Sequence, residues 1–267
     1  MRTLLLAAII ASTTVACSTS NATPLSGLYL ALGDSLSEGV GASDRAHASF
    51  VALTHDELGP DVQLLNLGVA GHTSRQLIDL QLDRAVTEIQ KRNRDADPAN
   101  DVAVITLEIG GNDLLDLAFE LVVPGICPNL SAALETPRCV NTLAATFEDY
   151  ETNLALILDR LRAADQNLPI FLMTLFNPFS GGGSAVFDEL GQLTLEGQPG
   201  TQFPDGLNDI IRTHAGAGGV HLVEINPLFE GKAGDYIAGD LIHPNDEGYQ
   251  VMADAVLKSM RAAALID

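Results

Sequence analysis

Five short, mostly apolar runs, at 28–32, 62–66, 102–109, 169–175 and 220–225, alternate along this chain with longer stretches of helical spacing. Phe50 to Leu58 is helical and stops at Gly59-Pro60. A second helix carries Leu77, Leu80, Leu82, Ala85 and Ile89, with Thr73 or Ser74 as its cap. Leu114 to Val123, Leu207 to Thr213 and Asp246 to Ala264 follow the same logic. Asn141 to Ala164 is strongly amphipathic, with Phe147, Tyr150, Leu154, Ile157, Leu158 and Leu161 on one face. Strands that alternate with helices build βαβ units, hence a mainly parallel sheet covered on both faces. The expectation is an α/β fold in three α/β/α layers around a five-stranded sheet, with right-handed crossovers. Pro124 to Cys139 and Leu228 to Ile242 read as irregular. Asn177 to Pro204 reads as a long loop with at most one short helix.

With 267 residues, 46% of them hydrophobic and 18% charged, the chain suits one domain with a substantial core. That domain is placed at 27–267. Ahead of it, Arg2 precedes an apolar stretch from Leu4 to Ala11, and small residues lead to Val15-Ala16-Cys17. The stretch is too short to span a bilayer and fits a secretory signal over 1–17. It is similar to a bacterial lipoprotein signal, in which Cys17 becomes the lipid-bearing first residue; Thr14 departs from that pattern, so simple cleavage and secretion stay open. Residues 18–26 then form a short tether. The expectation is an exported protein, lipid-anchored through Cys17 or free.

The formal charge of −21 repels DNA, RNA and anionic surfaces, so no nucleic-acid partner is expected. Of the three cysteines, Cys17 is accounted for, which leaves Cys127 and Cys139 as an even pair in an oxidising compartment. A bridge between them is expected, two free thiols being the alternative.

Three strands run into short polar motifs. Gly33-Asp34-Ser35 follows the first. Asn66-Leu67-Gly68-Val69-Ala70-Gly71 follows the second. Gly110-Gly111-Asn112-Asp113 follows the third. In a parallel sheet all such exits lie on one edge and can converge. A fourth motif, Asp240-Leu241-Ile242-His243-Pro244, precedes the closing helix. Asp and His three apart on a loop can hydrogen-bond through one ring nitrogen, leaving the other as a base. A serine hydroxyl needs such a base to become a nucleophile. The negative charge that then grows on a substrate oxygen needs fixed donors. The N–H groups of Ser35 and Gly71 and the side-chain amide of Asn112 are the candidates.

These four motifs, in this order, resemble the GDSL family, also called SGNH hydrolases, over about Leu28 to Ala264. The resemblance implies a flavodoxin-like hydrolase fold. It implies Ser35 as nucleophile, His243 and Asp240 as its partners, and Ser35, Gly71 and Asn112 as oxyanion donors. It implies carboxylic ester hydrolysis, by an esterase or lipase, on a small-molecule or lipid ester. An acyltransferase, a carbohydrate O-acetyl esterase, a lysophospholipase or a lipid-anchored binding protein are the alternatives. Short sheet-exit loops suggest an open, shallow site. Phe176, Phe179, Phe187 and Phe203 are assigned either to an acyl groove or to loop packing. His72 receives no role, and Asp34 and Asp113 are read as loop braces. No Gly-x-Ser-x-Gly elbow, His-Glu-x-x-His or Cys-x-x-Cys occurs, so no metal and no cofactor is expected, and the chain is expected to be a monomer.

Overall fold

The structure is a computed structural model that describes residues 25–216 and 218–267. The expected signal at 1–17 and Cys17 lie outside the described residues. Five strands, β1 (Gly27–Gly33), β2 (Val62–Asn66), β3 (Val102–Glu108), β4 (Ile170–Met173) and β5 (Val220–Val223), form one sheet in the order β2-β1-β3-β4-β5. Every pairing is parallel. The strand order reverses at β1, so a crevice opens at the carboxyl ends of β1 and β3. Gly33 and Glu108 lie side by side there in register.

Strand parity sends alternate residues to two cores. Leu28, Leu30, Leu32, Ile105 and Leu107 face one layer, which contains Leu154, Ile157 and Leu161 of the helix Pro137–Ala164 and Ile89 of the helix Asp83–Arg92. Tyr29, Ala31, Val104 and Phe171 face the other, formed by Phe50 of the helix Phe50–Leu58 and Tyr249, Met252 and Val256 of the helix Asp246–Ala262. Each fully buried Leu or Phe contributes about 1.5–3 kcal/mol. A truncation such as Leu154→Ala therefore costs roughly 2–5 kcal/mol once the cavity is included.

A third, smaller cluster sits beyond the sheet edge. It joins Leu117, Leu121, Cys127, Cys139, Leu143, Leu190, Leu193 and Phe203. Here the structure is more regular than the sequence suggests. The expected loop at Asn177 to Pro204 contains a twelve-residue helix, Ala185–Glu196. Its Leu190 and Leu193 are one turn apart and both buried, and Gly191 faces Asn177 so closely that a Cβ would meet it at 2.6 Å. The glycine that reads as a loop signal thus serves close packing inside a helix. Likewise Leu130–Glu135 is a helix capped by Asn129, and the long helix starts at Pro137, with proline at its first position. Cys139 falls in that first turn and is bridged to Cys127, with the Cα atoms 6.0 Å apart.

Candidate active site

β1 ends where Gly33 must lie almost on the backbone of Glu108; a Cβ at position 33 would strike the Glu108 carbonyl and the Ser37 hydroxyl. The chain then turns through Asp34, whose Oδ1 accepts the Leu36 N–H at 3.0 Å, and Ser35 opens the short helix Ser35–Glu38. Ser35 is 7% exposed, at the floor of the crevice.

His243 reaches this point from 208 positions away, with its Nε2 2.9 Å from Ser35 Oγ. The closing helix brings it there. Tyr249 donates its hydroxyl to the Val40 carbonyl at 2.5 Å, and the Ser43 N–H and hydroxyl bind the Asp246 carboxylate at 2.8 and 2.6 Å. Gly41, at φ +94°, lies where any Cβ would meet His243 Cβ at 2.8 Å. Glycine at this position lets the segment Gly39-Val40-Gly41 pack directly on the histidine turn.

Asp240 Oδ2 sits 2.7 Å from His243 Nδ1, and its Oδ1 accepts the N–H groups of Ile242 and His243 at 3.1 and 3.0 Å. An ionised carboxylate only accepts, so Nδ1 carries the ring proton and Nε2 accepts from the Ser35 hydroxyl. The turn is tight enough to force Leu241 to φ +67°, a conformation non-glycine residues adopt rarely. Burial alone would raise the Asp240 carboxyl; its bonds to the His243 amide, the His243 ring and the Ile242 amide outweigh burial and hold it below its usual range.

On the other side of Ser35, Asn112 opens the helix Gly111–Leu117 just past β3. Its side-chain nitrogen donates to Asp34 Oδ2 at 3.1 Å and to the His72 carbonyl at 3.0 Å. This joins all three strand exits and sets the Gly71-His72 turn beside Asn112. Gly71 has φ +83°, and among the described residues its N–H has no acceptor. Sequence reasoning gave His72 no role, yet its carbonyl fixes Asn112 and its ring meets Gln81 at 3.0 Å. Gln81, missed entirely, is 3% exposed and clamps Gly33 through both backbone groups. Nothing in its helical surroundings marked it. Asp113 braces the second exit by accepting from the Ser74 N–H and hydroxyl at 2.9 and 2.6 Å.

Ser35, Asn112 and Ile242 border a cavity of about 160 Å³ that continues into the satellite cluster between Leu114, Leu121, Leu143 and Leu190, with the Cys127–Cys139 bridge in its wall. That is roughly ten times what one water needs. In place of the open, shallow site expected from the sequence there is an apolar cavity that reaches inward to the buried Leu121, Leu143 and Leu193 and is lined in part by the helices Gly111–Leu117 and Ala185–Glu196. Phe176, Phe179 and Phe187 line it. Phe203 instead packs edge-on against Phe147, with ring centroids 5.8 Å apart. Among the described residues no cluster of His, Cys, Asp or Glu is arranged to hold a metal ion.

A parallel sheet between two helical layers, with Ser35, His243 and Asp240 gathered at its switch point, is an arrangement able to activate a serine hydroxyl, as in the α/β hydrolase class. Comparison with known proteins makes the assignment narrower. The GDSL-like lipase/acylhydrolase family matches residues 31–251, and the chain belongs to this family. It is 23% identical over 234 residues to the spore germination lipase LipC of Bacillus licheniformis, covering 85% of this chain and 92% of LipC. Among solved structures, the lipase Lip_vut3 from a goat rumen metagenome shares the fold at TM-score 0.65 and 21% identity, over 88% of this chain and 97% of its own. Phospholipase A1 of Streptomyces albidoflavus does so at 0.60 and 20%, over 88% and 99%. The chain is thus a hydrolase of the esterase and lipase type.

Proposed function

We propose that the protein hydrolyses carboxylic esters of single unbranched acyl chains through an acyl-enzyme on Ser35. The observation that carries this reading is the unbroken hydrogen-bonded series Ser35–His243–Asp240 at the mouth of an apolar cavity. His243 takes the hydroxyl proton as Ser35 Oγ attacks the ester carbonyl. The oxyanion is met by the N–H groups of Ser35 and Gly71 and by the Asn112 amide, which shares a hydrogen now held by Asp34. His243 then protonates the departing alcohol, and water repeats the sequence to release the acid. The depth of the cavity favours chains longer than acetyl, since an acetyl group would leave its apolar walls without contacts.

Export belongs to the same reading. The Cys127–Cys139 bridge supports an oxidising compartment, and Cys17 is the site for a lipid anchor. Metabolic labelling with a fatty-acid probe tests this, and retention of the label in a Cys17→Ser variant would contradict it. The enzymatic reading is tested with p-nitrophenyl esters of graded chain length. Rates should rise beyond acetyl and vanish in Ser35→Ala; equal rates for the two proteins would remove Ser35 from the mechanism.

A further inference from the structure

Glu108, the last residue of β3, is 1% exposed at the cavity's polar end and lies beside Gly33 in register. Neither of its buried oxygens has a hydrogen-bond partner among the described residues, and Asp34, which follows Gly33 and lines the same cavity, is the carboxyl that acts on it. Two ionised carboxylates so placed have no donor between them and repel; one proton on the pair supplies the missing donor. Burial first, then the charge of Asp34, push the Glu108 carboxyl well up, so the proton resides on Glu108. His243 and Asp113 also act on Asp34. The charges of both carboxyls also reach the buried hydroxyls of Tyr150, in the helix Pro137–Ala164, and Tyr249, in the closing helix, which donate to the Ile109 and Val40 carbonyls. None of the groups acting on either carboxyl is a lysine or arginine.

We propose that Glu108 is a positioning residue for this reaction: a buried carboxylic acid that donates to Asp34 and through it sets the Asn112 amide and the turn bearing Ser35. The inference rests on the serine-hydrolase reading of the site. Asp34 divides its oxygens between the Leu36 N–H and the Asn112 amide, and its Oδ1 is 3.5 Å from Ser35 Oγ. A full negative charge there opposes an oxyanion forming nearby and grips the amide that the oxyanion needs. The Glu108 proton draws that charge away, which eases both effects.

The test measures kcat and KM against pH for the full chain, Glu108→Gln and Glu108→Ala, on one short-chain p-nitrophenyl ester. Alanine removes the donor, so kcat falls about tenfold or more while KM moves little. Glutamine is a permanent donor of the same shape, so it brings kcat back to within about threefold of wild type at neutral pH. It cannot ionise, so the alkaline fall in kcat that accompanies loss of the Glu108 proton disappears. A glutamine variant as impaired as alanine, one that keeps the wild-type alkaline fall, or a wild type with no such fall overturns the proposal. Thermal melting checks that the alanine variant folds; if it does not, the glutamine profile decides alone. Ser35→Ala in the same assay separates the two levels. Activity surviving there removes the underlying reading, whereas its loss with an unmoved glutamine profile removes only the role of Glu108.

Discussion

Two carboxylates flank Ser35 in opposite environments. Asp240 lies on a loop with 43% of its side chain exposed, and its donors more than offset burial to keep it ionised. Asp34 is buried at the end of β1, and burial pushes it up to about 6 despite the Leu36 N–H. The same chemical group is thus a committed anion on one side of Ser35 and a reluctant one on the other. In the proposed reaction these surroundings suit them to different roles: Asp240 to orienting a base, Asp34 to organising the turn and the oxyanion side.

Exchanging each for asparagine tests that contrast most strongly. Asp240→Asn removes the acceptor that fixes the His243 tautomer and should cost about 10³–10⁴ in kcat. Asp34→Asn keeps an oxygen for the Leu36 N–H and should cost no more than about 10²-fold. Equal losses would erase the distinction. Asn112→Ala, on the Asp34 side, should lower kcat by about 10²–10³ with little change in KM, as expected for a donor used only in the transition state. A rise in KM alone would make Asn112 a substrate contact instead. Ala118→Phe, placed in the cavity wall, should depress hydrolysis of the longest ester about tenfold or more relative to acetyl.

The smallest effect is on stability, and it has opposite signs at the two carboxylates. Asp34 binds its proton more tightly folded than unfolded, so its contribution to stability falls as pH rises from its ordinary value of 3.8 to about 6, and the penalty is complete above that. Asp34→Asn loses one of the two accepted bonds but cannot ionise, so its Tm relative to wild type should rise by about 2–4 °C between pH 4 and pH 8. Asp240 binds its proton less tightly when folded. Its contribution is present above its ordinary value and is lost as pH falls through the folded one, so Asp240→Asn should lower Tm slightly at pH 8. Parallel shifts in calorimetry would contradict the assigned environments.

The sheet was readable because each strand is a local apolar run, the first three ending at or near a glycine, and because Ser35 and Asn112 stand in short motifs at two of those exits and Asp240 and His243 in another ahead of the closing helix. The cavity was not. Its walls come from Leu114 to Leu143 and Phe176 to Leu195, where glycines and prolines mask helices whose apolar faces find one another only in three dimensions. Gln81 and Glu108 were invisible for a related reason. A glutamine within a helix and a glutamate closing a strand carry no motif, and they matter through what they act on: the backbone of Gly33 and the carboxyl of Asp34.

The central claim is that Ser35 is the atom acylated. Incubation with a fluorophosphonate ester, followed by mass spectrometry of the digested protein, tests it directly. One adduct is predicted, on the peptide containing Ser35, absent from Ser35→Ala and strongly slowed in His243→Ala. An adduct on another residue, or ester hydrolysis that persists with Ser35 unmodified, would contradict the account.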